Sequence, residues 1–168
     1  AASYGTFLGS SYRLDMVRTG AALYGLNPLP GRANPMLPVV GLRARILQVR
    51  EVEAGDTAGY GATWTAEGKR RLATLAVGYA DGLLRESANR GSVRFGPMAA
   101  PIVGRVSMDL VTVDVTSVPP AWAQPGGFAD LVGPHGTIED LARDSGTIGY
   151  ELLTRLGPRL RRVYEGAT

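Results

Sequence analysis

The sequence predicts a mainly β domain, a barrel or sandwich from about Pro38 onward, preceded by a short α/β remnant. Three observations carry this expectation. Apolar runs at 92–95, 100–103, 110–115 and 128–132 recur at the spacing of short strands joined by turns. Leu42, Ala44 and Ile46 alternate with Arg43 and Arg45, the period of a half-buried strand. With 23 Gly and 11 Pro among 168 residues, turns are favoured over long helices.

The elements follow in order. Tyr12 to Arg18 alternates in polarity and predicts a strand. Thr19 to Leu26 predicts a glycine turn running into a short helical segment, and such a turn presents free backbone N–H groups to an anion. Asn27 to Pro38 holds four prolines and predicts a linker, which divides the chain into 1–37 and 38–168. Strands are predicted from about Leu42, with a turn from Glu51 to Thr57, and again from Arg71 to Gly78. Tyr79-Ala80-Asp81-Gly82 predicts a turn. Thr137 caps a helix, because its hydroxyl can accept an N–H of the first turn. Thr147-Ile148-Gly149-Tyr150-Glu151 opens another, with Tyr150 in its first turn. Pro158 ends that helix, and Leu160 to Tyr164 predicts a final strand.

Composition excludes several kinds of protein. Hydrophobic residues make up 45% and charged residues 20%, which suits a packed domain rather than a disordered chain. Cysteine is absent, so disulfides and thiolate chemistry are ruled out. No apolar run reaches membrane-spanning length and no signal-peptide pattern opens the chain, so no membrane role and a cytoplasmic location are expected. No His or carboxylate cluster has metal-ligand spacing, so no metal is expected. His135 lies in a Gly-Pro-His-Gly turn and reads as a surface residue. The net charge is +3, and the basic cluster Arg155, Arg159, Arg161 and Arg162 lacks interleaved aromatics. It reads as a solvated or ion-paired face, not a nucleic-acid reader. Lys69 is the sole lysine and sits in a polar turn. A Schiff-base lysine needs a pocket that Lys69 lacks.

Chemistry concentrates at Gly59-Tyr60-Gly61, where flanking glycines let neighbouring groups approach a phenol closely. A free phenol titrates at about 10, so it serves as a base only where positive charge lowers that value. Gly-Tyr-Gly is also ordinary turn punctuation, and both readings stand at this level. Tyr79, Tyr150, Arg18, Arg85, Arg105 and Asp109 complete the candidates.

Five stretches together resemble one family. Met16-Val17-Arg18-Thr19-Gly20-Ala21-Ala22-Leu23-Tyr24-Gly25-Leu26 looks like the end of the barrel domain of alanine racemases, enzymes that use pyridoxal 5'-phosphate (PLP). Gly59-Tyr60-Gly61-Ala62-Thr63, Val77-Gly78-Tyr79-Ala80-Asp81-Gly82, Gly104-Arg105-Val106-Ser107-Met108-Asp109 and Thr147-Ile148-Gly149-Tyr150-Glu151 resemble that family's C-terminal domain, in the same order. The resemblance implies that residues 1–37 are the last strand–helix remnant of a (β/α)8 barrel with its linker. It implies that 38–168 is the C-terminal β domain, and that the PLP lysine lies outside this chain. Tyr60 matches the catalytic acid/base. Ser3, Gly20, Ala21 and Tyr150 match phosphate contacts, and Arg18 the residue facing the pyridine nitrogen. Met108 matches a substrate-carboxylate contact through its backbone; Tyr79, Arg85 and Asp109 match the entrance. Thr19 stands where proline is usual, Gly59 where serine is common, and Trp64 where tyrosine is common. A homodimer with shared active sites, supplying D-alanine to the peptidoglycan precursor of the cell wall, is implied as well. Two alternatives stand beside this: a racemase for serine or several amino acids, and a stand-alone β-barrel module binding RNA or protein without catalysis.

Overall fold

A computed structural model describes residues 1–166 of the chain. Eight strands are present among the described residues: β1 (Leu42–Val52), β2 (Thr57–Ala58), β3 (Trp64–Thr65), β4 (Arg70–Leu75), β5 (Ser92–Phe95), β6 (Met98–Pro101), β7 (Val111–Asp114) and β8 (Phe128–Val132). Three short α-helices accompany them: α1 (Ser3–Thr6), α2 (Ile138–Asp144) and α3 (Gly149–Arg155). Six strands form one sheet in the order β6-β5-β8-β1-β4-β7, every pair antiparallel, and β2–β3 is a separate hairpin. Just past β6, Ile102 bridges Val113 of β7, and the Val103 N–H donates to the Thr112 carbonyl at 2.9 Å. The sheet thereby curls into a nearly closed barrel. Closure leaves few unpaired strand edges, which would otherwise recruit other chains.

β1 makes the curvature possible. Its first residues pair with β8 and its remainder with β4, and a register shift falls at Leu47. Such a bulge bends a strand and tightens its twist. The alternation read at 42–46 is present, with Ala44 and Ile46 buried and Arg43 and Arg45 outside. The outward arginines flank Phe128, each guanidinium about 5 Å from the ring centre, as cation–π contact favours. Ile46, Leu75, Val93, Ile102, Val111 and Val113 fill the barrel. A smaller core of Val52, Ala58, Ala66, Leu72 and Val103, with Trp64 against it, lies under the β2–β3 hairpin.

Three expectations need correction. Leu160–Tyr164 is irregular, not a strand. The barrel closes without it, so the segment has no edge to join; its Arg162 donates to the Leu156 carbonyl at 3.1 Å. Tyr12–Arg18 is not a strand either. Ser10–Tyr12 forms a 3-10 turn, and a single parallel bridge joins Arg18 to Ala2, because only two residues run alongside. The turn expected at 51–57 starts later, since β1 continues through Val52. The β2–β3 hairpin was not foreseen at all. Its strands have two residues each, too few for any period to register.

The segment before the barrel docks on its helical end. Leu26 is buried in the barrel core, and the Asn27 N–H donates to Glu139 of α2 at 2.8 Å. Residues 28–38 carry no helix or strand. α2 opens with the expected cap: the Thr137 hydroxyl accepts from the Asp140 N–H at 3.1 Å, and Asp140 accepts from the Thr137 N–H at 3.1 Å. Partial burial pushes the Asp140 carboxyl up, but the Thr137 bonds and the Arg143 charge outweigh it, leaving it below the usual range. A depressed carboxylate adds stability above its unfolded pKa and loses it as pH falls through the folded one. Thr137→Ala should therefore cost about 1 kcal/mol at pH 7. The cost should shrink as pH falls below the ordinary aspartate range, and urea unfolding at pH 7 and pH 3 checks both parts.

Candidate active site

Two groups of candidate residues emerge. The first is at the N-terminal end. Ser3 opens α1 and is buried, and its Oγ accepts the N–H of Gly20 at 2.9 Å and of Ala22 at 3.3 Å. Three expected residues, Ser3, Gly20 and Ala21, are thus together at the start of a 3-10 turn (Ala21–Tyr24). The Gly20 amide is committed to Ser3. The Ser3 hydroxyl proton and the Ala21 N–H have no partner among the described residues. A hydroxyl and an amide left free beside a turn N-terminus form a donor set suited to an anion. Arg18 is exposed next to it, paired through its backbone with Ala2, and its guanidinium makes no hydrogen bond or ion pair among the described residues. Tyr150 is in the first turn of α3, as expected, and is half-exposed. Gly149 beside it packs on Leu26, two residues after the Ala21–Tyr24 turn. Tyr150 and the Ser3 cradle therefore belong to neighbouring parts of the surface.

α3 is itself well anchored. Glu151 accepts a hydrogen bond from the Thr147 hydroxyl and two from Arg155, at 3.0 and 2.8 Å. The Thr147 bond, then Arg155, draws the Glu151 carboxyl below its ordinary value.

The second group surrounds the 104–110 connection between β6 and β7. Tyr60 projects from the β2–β3 hairpin and is 74% exposed, with its hydroxyl unbonded among the described residues. Its hairpin rests on the 104–105 backbone. A Cβ on Gly59 would lie 2.6 Å from the Arg105 nitrogen, and φ is +74° there, so any larger residue would need both to shift. The Arg105 guanidinium covers Gly61, next to the phenol. Tyr79 heads a 3-10 turn (Tyr79–Asp81) hydrogen-bonded to the same connection. Its N–H donates to Ser107 and that of Ala80 to Met108, each at 3.0 Å. The Met108 carbonyl is thereby occupied, while the Met108 N–H has no partner among the described residues. Arg85 is exposed at the head of the next turn (Arg85–Ser87).

Arg159, read from the sequence only as part of the basic cluster, joins the Tyr79–Asp81 turn to the 104–110 connection. Its Nε lies 3.2 Å from Asp81 and its terminal nitrogen 2.5 Å from Asp109. Asp81 is only 7% exposed, and its other oxygen accepts the Gly78 N–H at 3.0 Å. The Asp109 hydrogen bond, against slight desolvation and with both carboxylate charges, strengthens the guanidinium's hold on its proton. An arginine fifty residues from one partner gives no local pattern; the signal was only that the basic cluster reads as an ion-paired face. Arg155 and Arg162 are likewise engaged, the latter on the Leu156 carbonyl. Lys69 pairs with Glu51 at 2.6 Å, mostly in solvent, and that bond raises its pKa. His135 is exposed. Among the described residues no group of His, Asp and Glu could hold a metal, and no helix is long and apolar enough to cross a membrane.

A Cβ on Gly78 would overlap the Met108 carbonyl, whereas one on Gly68 would meet nothing. Gly78→Ala should cost about 1–3 kcal/mol by overpacking. Gly68→Ala should stay within about 0.5 kcal/mol of the parent. Denaturant midpoints of the two variants check the difference.

Comparisons with known proteins agree on one family. Residues 39–164 match the family model described as alanine racemase, C-terminal domain. An alanine racemase of Brucella ovis is 49% identical over 98% of this chain and 45% of its own length. One from Methylobacterium sp. (strain 4-46) is 54% identical over 96% of this chain and 44% of its own. The chain thus spans under half the length of these relatives. Among solved structures, the Bartonella henselae alanine racemase with covalently bound pyridoxal phosphate superposes with a TM-score of 0.92 at 41% identity, covering 98% of this chain and 45% of that one. The Streptomyces lavendulae alanine racemase gives 0.92 at 35% identity, covering 100% and 45%.

Proposed function

We propose, from the premise that this chain belongs to the alanine racemase C-terminal domain family, that it is the C-terminal part of a PLP-dependent enzyme interconverting L- and D-alanine. Residues 38–168 are the β domain of that enzyme, and 1–37 the end of its cofactor-binding barrel with the linker. The observation that carries the PLP reading is the Ser3 cradle. A hydroxyl proton and the Ala21 N–H are left unpaired side by side, with Gly20 holding Ser3 in place. The single parallel bridge Ala2–Arg18 supports the barrel assignment, since a phosphate site in such barrels forms in loops past neighbouring parallel strands.

The residues present suit the cofactor. Ser3, Ala21 and Tyr150 would donate to its phosphate. Arg18 would present a permanently protonated donor to the pyridine nitrogen. When bound, PLP supplies an electron sink for the carbanion formed at the α-carbon. Racemisation requires one group to take the α-proton on one face and another to return a proton on the opposite face. Tyr60 is the group on one face, exchanging its phenolic proton with the substrate. Its second partner is the cofactor lysine, outside this chain, a role Lys69 cannot fill. The free Met108 N–H binds the substrate carboxylate, and Tyr79, Arg85 and Asp109 line the entrance. The full enzyme is cytoplasmic and supplies D-alanine for peptidoglycan.

In the full-length protein, Tyr60→Phe should lower racemisation at least about a hundredfold. Wash-out of the α-deuteron should fall far more from L-alanine, whose face Tyr60 serves, than from D-alanine. Equal losses from both enantiomers would count against the assignment. Side-by-side rates with alanine and serine decide the substrate.

Tyr60 stands exposed on its own chain, which suits a phenol that completes a partner's pocket in a homodimer. Co-expression of Tyr60→Phe with a variant lacking the cofactor lysine tests this arrangement. With shared pockets, each mixed dimer gathers both defects in one site and leaves the other intact, so activity returns. With self-contained pockets, every site keeps one defect and the mixture stays inactive.

A further inference from the structure

Beyond its packing on the 104–105 backbone, few hydrogen bonds hold the segment carrying Tyr60. Gly59, Gly61 and Ala62 all have positive φ, at 74°, 72° and 47°. Alanine occupies that region at a cost. The segment's own bond, Ala62 N–H to the Gly59 carbonyl, is long at 3.3 Å. Among the described residues, one side chain from elsewhere hydrogen-bonds residues 59–63. Asn89 donates through Nδ2 to the Thr63 carbonyl at 3.3 Å, with the Thr63 hydroxyl at 3.5 Å. Its Oδ1 accepts the Gly104 N–H at 2.6 Å. One amide thus spans the two strips of backbone whose contact sets the direction of the phenol.

Asn89 is itself held in place. Its φ is +56°, a region asparagine tolerates better than other side chains. The turn on either side is anchored. The buried Ser87 hydroxyl donates to the Ser145 hydroxyl at 2.7 Å, and Ser145 donates in turn to the Leu141 carbonyl at 2.7 Å. The Gly91 carbonyl accepts the Ile102 N–H at 2.8 Å, just where the barrel closes. The staple therefore ties the hairpin to the end of the barrel where the sheet closes.

We propose that Asn89 is a positioning residue for Tyr60, stapling the Gly59–Thr63 segment to Gly104 so that the phenol is aimed at the α-carbon. The inference rests on the racemase reading. It assigns Asn89 no contact with substrate or cofactor.

The test uses the full-length protein loaded with PLP and two variants. Asn89→Gly accommodates the positive φ and removes both bonds. Asn89→Asp keeps the acceptor for Gly104 but sets a carboxylate oxygen against the Thr63 carbonyl. In Asn89→Gly, α-deuterium wash-out from L-alanine should slow about 10- to 100-fold, the cost of a misaimed reacting group. Wash-out from D-alanine should change little, and KM for either enantiomer should hold. Exchange of the Gly104 amide with solvent should quicken at least about tenfold, the loss of a bonded partner for a buried N–H. Asn89→Asp should keep Gly104 protected and still show the L-selective loss. Equal loss from both enantiomers, or unchanged Gly104 exchange in Asn89→Gly, would overturn the proposal. A wild-type protein that washes out neither enantiomer would instead overturn the racemase reading and the catalytic consequence drawn from it. The staple itself would then stand or fall on Gly104 exchange in the same samples.

Discussion

The structure depends on the closure of the barrel between Val103 and Thr112. That backbone hydrogen bond, with the Ile102–Val113 bridge, joins the two ends of the six-stranded sheet. The connection 104–110 issues directly from it. Every proposed contribution of the β domain to the active site except Tyr150 and Arg85 either lies on that connection or leans against it. Gly59 packs on Arg105, the Tyr79 and Ala80 amides bond to Ser107 and Met108, and Arg159 reaches Asp109. A barrel that opened there would disperse all of them at once.

Closure explains why so much of the local sequence is small. Backbone strips meet directly at Gly59 against Arg105 and at Gly78 against Met108, with no room for a Cβ between them. Such contacts supply stiffness without side-chain entropy to be lost. They also leave the functional groups pointing outward. The phenol of Tyr60 and the Met108 N–H have no partner among the described residues of their own chain. This is the expected condition of groups whose partners arrive with a ligand or a second subunit. A site positioned by packed backbone need not reorganise when it is filled.

The cofactor side is organised differently. Ser3, Gly20 and Ala21 are held by one hydroxyl accepting two amides, on a segment with little regular structure. Its link to the barrel runs through Leu26 in the core and Asn27 on Glu139. Since α3 packs on Leu26 and carries Tyr150, the β domain and the preceding segment meet where the phosphate contacts are proposed. The buried arrangement at Leu26 thus connects the two groups of candidate residues.

The sequence by itself determined the strands of the six-stranded sheet, the outward alternation of Arg43 and Arg45, the Thr137 cap and the place of Tyr150 in a helix first turn. All of these are decided within a few residues, by side-chain period or by a cap's hydrogen bond, so they are legible without the fold. The ordered set of glycine-flanked motifs carried the family as well. What only the tertiary structure decided lies in contacts between distant residues. Leu160 to Tyr164 has the composition of a strand but no edge to pair with, because closure consumed it. The two-residue strands around Tyr60 pair over a small core of their own, drawn from residues far apart in the chain. Arg159 between Asp81 and Asp109, and Asn89 between Thr63 and Gly104, join residues up to 78 positions apart. No local period encodes such a bond, since its energy appears only after the barrel has brought both ends together.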